Sequence, residues 1–166
     1  RMDYVAAASS NLGYCETVEK LMQIEVPRRA HYIRTILGEL QRIASHCLWL
    51  GTHAMDIGAM TVFLYAFRER ELILDLFEDY CGARLTYNSM RIGGLPLDIS
   101  SGWDKKVHAF CDVMESKLND YEQLLTNNRI WLGRTRDIGV ISGEEAIALG
   151  LCGPPLRGSG VSRDVR

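Results

Sequence analysis

The sequence predicts a mainly α-helical fold, an antiparallel helical bundle with short extended segments, in one domain covering residues 1–166. Apolar residues recur at steps of three and four over four long stretches, as on the buried face of a helix. Helix-ending or helix-starting residues (Pro27, Gly58 and Gly82) separate the first three stretches. The composition is 47% hydrophobic and 24% charged, which is typical of a globular chain rather than a disordered one.

The first half of the chain is expected to hold three helices. The first runs from Asp3 to Met22, and Asp3 lies near its positive end. The second runs from about Arg28 to Asp56, with Pro27 in its first turn. Its first half is amphipathic, whereas its second half is apolar nearly all round, which predicts burial on every side. The third runs from about Ala59 to Tyr80, with Gly82 as its C-terminal cap.

The second half is less regular. Residues 85–92 are predicted as a short strand or an extended loop, and residues 130–141 as irregular chain or a short hairpin. The clearest helix begins near Trp103, where Ser101 and Asp104 resemble a capping box, and ends at Asn127-Asn128. Another capping box, Ser142 with Glu145, predicts a short helix through residue 149. The glycine-rich tail is predicted as a loop.

Charge and cysteine content exclude several classes of protein. The net charge of -2 gives no electrostatic reason to expect nucleic acid as a partner. Five cysteines without a C-x-x-C pair exclude a zinc ribbon and an iron–sulfur motif, and they are expected to be buried reduced thiols. The longest apolar run, residues 57–67, is about half of a membrane span. The chain begins with Arg1 and is expected to be the central fragment of a longer protein.

Asp56 is the residue whose setting most suggests function, because it lies between two apolar stretches, and a carboxylate there needs either a partner or an exit to solvent. His46, His53 and Asp56 can share one helical face, so a metal-dependent hydrolase is one interpretation. Hydrogen-bonded structural histidines are the alternative, and no metal is predicted. Tyr4 alone is interpreted only as an interfacial aromatic.

Two further motifs have structural interpretations. Arg68 to Glu71 alternate in charge and follow an apolar stretch, with Glu71 near the apolar stripe. An ion-pair cluster between helices is favoured there over a catalytic pair. The string Arg157-Gly158-Ser159-Gly160 is half of a phosphate loop, but it lacks the remaining pattern, and a turn is favoured.

Longer strings resemble the quinone-site subunit of respiratory complex I (NADH:quinone oxidoreductase), known as its 49-kDa or D-type subunit, over essentially all 166 residues. The family is related to the large subunits of nickel–iron hydrogenases, which share its helical fold. The strings that carry the resemblance are long and uncommon: Val26-Pro27-Arg28-Arg29-Ala30, Thr52-His53-Ala54-Met55-Asp56-Ile57-Gly58-Ala59, Phe67-Arg68-Glu69-Arg70-Glu71, Arg91-Ile92-Gly93-Gly94, Leu124-Leu125-Thr126-Asn127-Asn128-Arg129-Ile130-Trp131 and Leu156-Arg157-Gly158-Ser159-Gly160-Val161.

The resemblance implies a site for quinone reduction. Tyr4 matches the tyrosine that holds the quinone headgroup together with a histidine, which would lie upstream of this chain. Asp56 matches the carboxylate that hydrogen-bonds that histidine. Tyr4 and Asp56 are therefore the implied catalytic residues, and Thr52 and Phe63 match positions that line the same chamber. Quinone is the implied substrate.

The resemblance also implies the surroundings. The iron–sulfur cluster belongs to the neighbouring subunit, and no cofactor is expected on this chain. The implied partners are the iron–sulfur (B-type) subunit, the C-type subunit and the membrane-arm subunits of complex I. The implied location is peripheral, on the cytoplasmic side of the bacterial inner membrane or the mitochondrial matrix side. The fragment alone is expected to be inactive and to self-associate through exposed apolar faces.

Two departures from the family pattern bear on these roles. Thr86 stands where many members have a histidine near the terminal cluster, and Thr61-Val62-Phe63-Leu64 replaces Thr-Pro-Phe-Phe. The alternatives are a large subunit of an energy-converting hydrogenase-like complex and a helical scaffold that docks neighbouring subunits without chemistry. The hydrogenase nickel ligands lie in C-x-x-C pairs, which this chain lacks.

Overall fold

The computed structural model describes residues 2–164, and within them it contains helices and no β-strand. The mainly α prediction is confirmed. The helices are α1 (Ala7–Met22), α2 (Arg28–Asp56), α3 (Met60–Cys81), α4 (Trp103–Tyr121), α5 (Arg129–Thr135), α6 (Gly143–Ala148) and α7 (Gly153–Gly158), with a π-helical segment at Glu122–Thr126.

The chain divides into two compact units, one up to Leu124 and the other from Leu125 onward. The larger unit contains α1 to α4, and the smaller contains α5 to α7. That the whole chain folds as one domain therefore stays a prediction.

The larger unit is built on the hairpin of α2 and α3. The bounds predicted for α2 are confirmed, because Pro27 in extended conformation precedes it and Gly58, with φ of 102°, allows the chain to reverse after it. Gly82, with φ of 74°, ends α3 as predicted, and its N–H bonds to the carbonyl of Glu78. These local signals fix the length of both helices.

The core of this unit lies where α1 and α4 pack on the hairpin. Leu37 of α2, Phe77 of α3 and Trp103 of α4 are fully buried in it. The Trp103 indole N–H donates to the carbonyl of Leu76 at 3.0 Å, which fixes the start of α4. The predicted capping box at Ser101 is wrong: the N-cap is Gly102 in the left-handed region, without a side-chain cap. The buried indole, rather than a cap, positions this helix end.

Two other predictions of secondary structure are wrong, and a third is settled between its alternatives. The helix α1 starts at Ala7 instead of Asp3, because the Asp3 carboxylate accepts hydrogen bonds from the N–H groups of Val5 and Ala6 and forms a turn first. A helix, α5, replaces the irregular chain expected after residue 130, since Asn128 caps it. Of the two alternatives for residues 85–92, the extended loop is the one observed, and it contributes only one end of an isolated bridge between Arg91 and Gly94.

In the smaller unit, the predicted capping box is confirmed and the prediction of a loop-like tail is wrong. The Ser142 hydroxyl accepts from the Glu145 N–H at 3.2 Å, and the Glu145 carboxylate accepts from the Ser142 N–H at 3.1 Å, which is the predicted capping box. The predicted loop-like tail instead contains α7, whose Pro154 and Pro155 suit the first turn of a helix. The favoured turn at residues 157–160 is therefore partly helical.

Burial also differs from the prediction for the cysteines and for α2. Cys15 and Cys47 are buried and Cys81 partly so, whereas Cys111 and Cys152 are exposed free thiols. The second half of α2 is covered on the face toward α3 and α4, and Trp49 is 59% exposed. Apolar periodicity shows that a helix can be buried all round, but not whether the residues that would cover it belong to the same chain.

Candidate functional site

The end of the α2–α3 hairpin contains three of the four predicted site residues: Thr52 and Asp56 on α2, and Phe63 on α3. The two helices approach closely at Gly51, where an added Cβ would lie 3.3 Å from the Phe63 Cα atom. Phe63 packs its ring on Phe67, with centroids 4.3 Å apart. Glycine at position 51 therefore determines how close Phe63 lies to α2.

Thr52 is half-buried, and its hydroxyl is used within its own helix. It donates toward the carbonyls of Leu48 at 2.9 Å and Trp49 at 3.2 Å. A hydroxyl bonded back to the preceding turn keeps its lone pairs available as acceptors. Thr52 can therefore accept one hydrogen bond from a ligand without losing its own.

Asp56 is exposed, so its expected burial is wrong for this chain, and the alternative of an exit to solvent is the one observed. Asp56 is the last residue of α2, two positions beyond the buried Ala54, and two helical positions place a side chain on nearly the opposite face. The C-terminal end of a helix is its negative end, so the α2 carbonyls and the Asp56 carboxylate both favour a cation there. A protonated imidazole is one such cation.

Tyr4 lies before α1 and is 68% exposed. The next residue is held on α2, because the Gln41 amide donates to the Val5 carbonyl at 2.8 Å. Asp56 lies fifteen positions beyond Gln41 on α2, about 22 Å along the helix axis at 1.5 Å per residue. The segment that carries Tyr4 thus contacts α2 at Gln41, whereas Asp56 is the last residue of that helix.

The metal interpretation receives no support from the described residues. No three His, Cys, Asp or Glu side chains between residues 2 and 164 come close enough to hold an ion. His46 and His53 are exposed, and the His53 ring stacks on Trp49 at 6.0 Å between centroids.

A buried polar cluster joins α3 and α4, and its central carboxylate is Glu69 rather than Glu71, which the sequence pattern favoured. Glu71 is exposed and pairs with Arg84, whereas Glu69 is 1% exposed. The Tyr121 hydroxyl donates to Glu69 at 2.6 Å, and Arg68 donates to its other oxygen at 2.7 Å. Burial and the neighbouring carboxylate raise the pKa of Tyr121, so its proton stays on the phenol. The predicted ion-pair cluster between helices is therefore wrong: the ion pair of Glu69 lies within α3, and a hydrogen bond from Tyr121 joins it to α4.

Sequence reasoning missed a second buried pair entirely. Arg34 and Glu19 are 1% and 5% exposed and form a two-pronged ion pair, with N–O distances of 2.6 and 3.0 Å. Arg34 also donates to the carbonyls of Arg91 and Gly94, and Glu19 accepts from the Gly93 N–H at 2.8 Å. The pair therefore holds the 91–94 turn against α1 and α2. Only the placement of Glu19 on the apolar stripe of α1 hinted at it.

Comparison with known proteins identifies the family. The model of the respiratory-chain NADH dehydrogenase 49 Kd subunit family matches residues 56–166, which is more than half of the chain. The chain belongs to this family. The match starts at Asp56 and includes Phe63.

Similar proteins extend the likeness over the whole chain. The D-type subunit of NADH-quinone oxidoreductase from Campylobacter jejuni (strain ATCC 700819 / NCTC 11168) is 58% identical over all 166 residues. The D-type subunits of Thermodesulfovibrio yellowstonii and Campylobacter concisus are 57% and 56% identical, again over the whole chain. The chain spans 41% of the length of each of these relatives.

Thr86 is the position where the resemblance implies a histidine in many family members. It is exposed, and its φ of 51° lies in the left-handed region that β-branched residues rarely adopt. A threonine hydroxyl does not titrate near neutral pH, so position 86 holds no proton-exchanging group.

Between residues 2 and 164, no helix has both the length and the apolar character required to cross a bilayer.

Proposed function

We propose that this chain is part of the quinone-binding subunit of NADH:quinone oxidoreductase and lines the chamber where quinone is reduced, in a step linked to proton translocation. The observation that supports this proposal is the 56–58% identity, over the whole chain, to proteins named as D-type subunits of NADH-quinone oxidoreductase. In this proposal the activity belongs to the assembled complex, and the isolated chain is inactive.

Quinone reduction to quinol takes up two electrons and two protons. The proposed role of Tyr4 is to donate its phenolic proton to one quinone oxygen, for which its exposed position leaves room. Asp56 is proposed to stabilise an imidazolium supplied from outside this chain, which gives up the second proton. The negative end of α2 supports that role, because it favours the same positive charge.

Thr52 and Phe63 are proposed to line the chamber. Thr52 offers free lone pairs at a half-buried position, and Phe63 offers an aromatic face held by Phe67. A polar contact beside an aromatic surface is the usual composition of a pocket for a flat organic ring. Neither side chain exchanges a proton, so their substitution should change quinone affinity more than the chemical step.

The proposed setting follows from family membership. We place the chain on the membrane periphery, on the cytoplasmic or matrix side, against the B-type subunit with its iron–sulfur cluster, the C-type subunit and the membrane arm. Electrons would reach quinone from that cluster, so this chain needs to bind no cofactor of its own. No part of the proposal involves nucleic acid.

A scaffold without chemistry is the second candidate, and exposed apolar side chains favour it. Trp49, Met60 and Leu64 are 59%, 55% and 60% exposed on the hairpin, as expected for a surface that docks neighbours. The same surface would let the isolated chain self-associate. The two candidates differ in whether Tyr4 and Asp56 matter for electron transfer after assembly is complete.

The decisive experiment uses membranes that contain the full-length complex with Asp56→Asn or Tyr4→Phe. NADH:quinone activity is compared with NADH:ferricyanide activity, which reports electron entry upstream. We expect quinone reduction to fall by about tenfold or more with ferricyanide reduction unchanged, because each variant removes a proton-handling group. The control variants are Asp112→Asn and Tyr14→Phe, both at exposed positions elsewhere. Normal quinone reduction in both test variants would leave only the scaffold candidate.

A further inference from the structure

Arg70 is a buried cation that forms no ion pair with the described residues. It lies on α3 and is 8% exposed, and its Nε atom has no hydrogen-bond acceptor. None of the ion pairs formed between residues 2 and 164 includes it. Its guanidinium carbon lies 5.6 Å from the centre of the Phe67 ring. A cation–π contact offsets only a small part of the desolvation of a charge.

The other deeply buried arginine shows what such burial requires in this chain. Arg34 has both oxygens of the Glu19 carboxylate and two backbone carbonyls as acceptors. Arginine always carries its charge, so Arg70 cannot avoid the cost of burial by losing a proton. The difference between the two arginines indicates that an acceptor for Arg70 lies outside the described residues.

The neighbouring acids on α3 are already engaged. Glu69 accepts from Arg68 and Tyr121, and Glu71 pairs with Arg84. The ion pairs of the α3 acids are with other cations, Arg68, Arg84 and Lys106, and none of these pairs includes Arg70.

The surroundings of Arg70 indicate what kind of group fits there. Phe63, Phe67 and Arg70 lie at successive steps of four and three, on one face of α3. Both phenylalanines are half-buried, so an apolar surface continues from the guanidinium toward the end of the hairpin. A small free anion would leave this apolar surface uncovered, whereas a protein segment would cover the surface and pair with the charge together.

We propose that Arg70 binds a carboxylate side chain carried by a protein segment outside this chain, which packs along Phe67. The guanidinium fork matches a carboxylate in a two-pronged pair. The relatives have ample additional chain, since the present sequence spans 41% of their length. This inference does not depend on the proposed quinone chemistry, because it concerns assembly.

The test compares Arg70→Met, Arg70→Lys and the wild type in the full-length complex, with Arg42→Met as a control at an exposed ion pair. The measurement is the half-life of the assembled complex at a fixed elevated temperature, followed by native electrophoresis. With a buried carboxylate partner, Arg70→Met should shorten the half-life by about tenfold or more, because it leaves the carboxylate unpaired. Arg70→Lys keeps the positive charge, so its half-life should shorten by less than that of Arg70→Met.

A half-life for the Arg70→Met complex that equals or exceeds that of the wild type would overturn the proposal. If Arg70 has no partner in the complex, methionine removes an unpaired buried charge, and the half-life stays equal or lengthens. Acetate in place of chloride, at equal ionic strength, should leave the wild type unchanged; stabilisation by acetate would assign the site to a free anion instead. If Arg70→Met prevents assembly, the structure of the wild-type complex decides: a carboxylate oxygen within ion-pair distance of the guanidinium supports the proposal, and its absence overturns it.

Discussion

Removal of the Glu19 carboxylate should be among the most destabilising single changes in the larger unit. Arg34 is 1% exposed. Glu19→Ala would leave its guanidinium with only the carbonyls of Arg91 and Gly94 as acceptors. The Gly93 N–H would also lose its 2.8 Å acceptor. Breaking a buried ion pair by removing one partner costs about 3–5 kcal/mol, and we expect a loss of unfolding free energy in that range.

The assay is urea unfolding followed by circular dichroism, with Glu16→Ala as the matched control at an exposed position of the same helix. The control should change the unfolding free energy by less than about 0.5 kcal/mol. The double variant Glu19→Leu with Arg34→Met should recover most of the loss, because no charge remains buried. A loss below about 1 kcal/mol for Glu19→Ala would refute the claim that the pair is desolvated and structurally important.

The same pair predicts a pH dependence. The hydrogen bonds from Arg34, together with that from the Gly93 N–H, lower the pKa of Glu19. A lowered carboxyl pKa stabilises the folded state fully above the ordinary value of about 4.3, and this contribution is lost as the pH falls through the lowered value. Between about pH 5 and acid conditions, the wild type should therefore lose more unfolding free energy than Glu19→Ala. Equal losses would show that Glu19 is not coupled to folding.

Two further changes test the packing of α3. Tyr121→Phe removes the 2.6 Å hydrogen bond to buried Glu69 and should cost about 1.5–3 kcal/mol in the same urea assay, whereas a change within about 0.5 kcal/mol would contradict the bond. Gly51→Ala should cost about 1–3 kcal/mol, because its Cβ would lie 3.3 Å from the Phe63 Cα atom. Gly38→Ala, whose Cβ would meet only a side chain at 3.8 Å, is the control and should gain up to about 1 kcal/mol from helix propensity. Equal effects of the two alanines would show that α2 and α3 are not in tight contact at residue 51.

The buried polar residues mark the limit of sequence reasoning for this chain. The apolar stripe of α3 continues from Val62 and Ala66 to Ile73, and Glu69 occupies the step between them. The position of Glu69 on this stripe is the signal that could have identified it, but a charged residue on a stripe is equally compatible with an edge position. Its partner Tyr121 lies 52 residues away, and no local pattern links the two.

The sequence alone determined the helices whose ends depend on nearby residues. The bounds Arg28–Asp56, the cap at Gly82 and the Ser142–Glu145 box were predictable, because their hydrogen bonds and backbone angles involve residues at most four positions apart. Tertiary structure alone decided that Asp56 is exposed and that Arg70 is buried without an ion pair among the described residues. The physical reason is that burial is set by whatever packs against a side chain, and distant segments of sequence supply that contact.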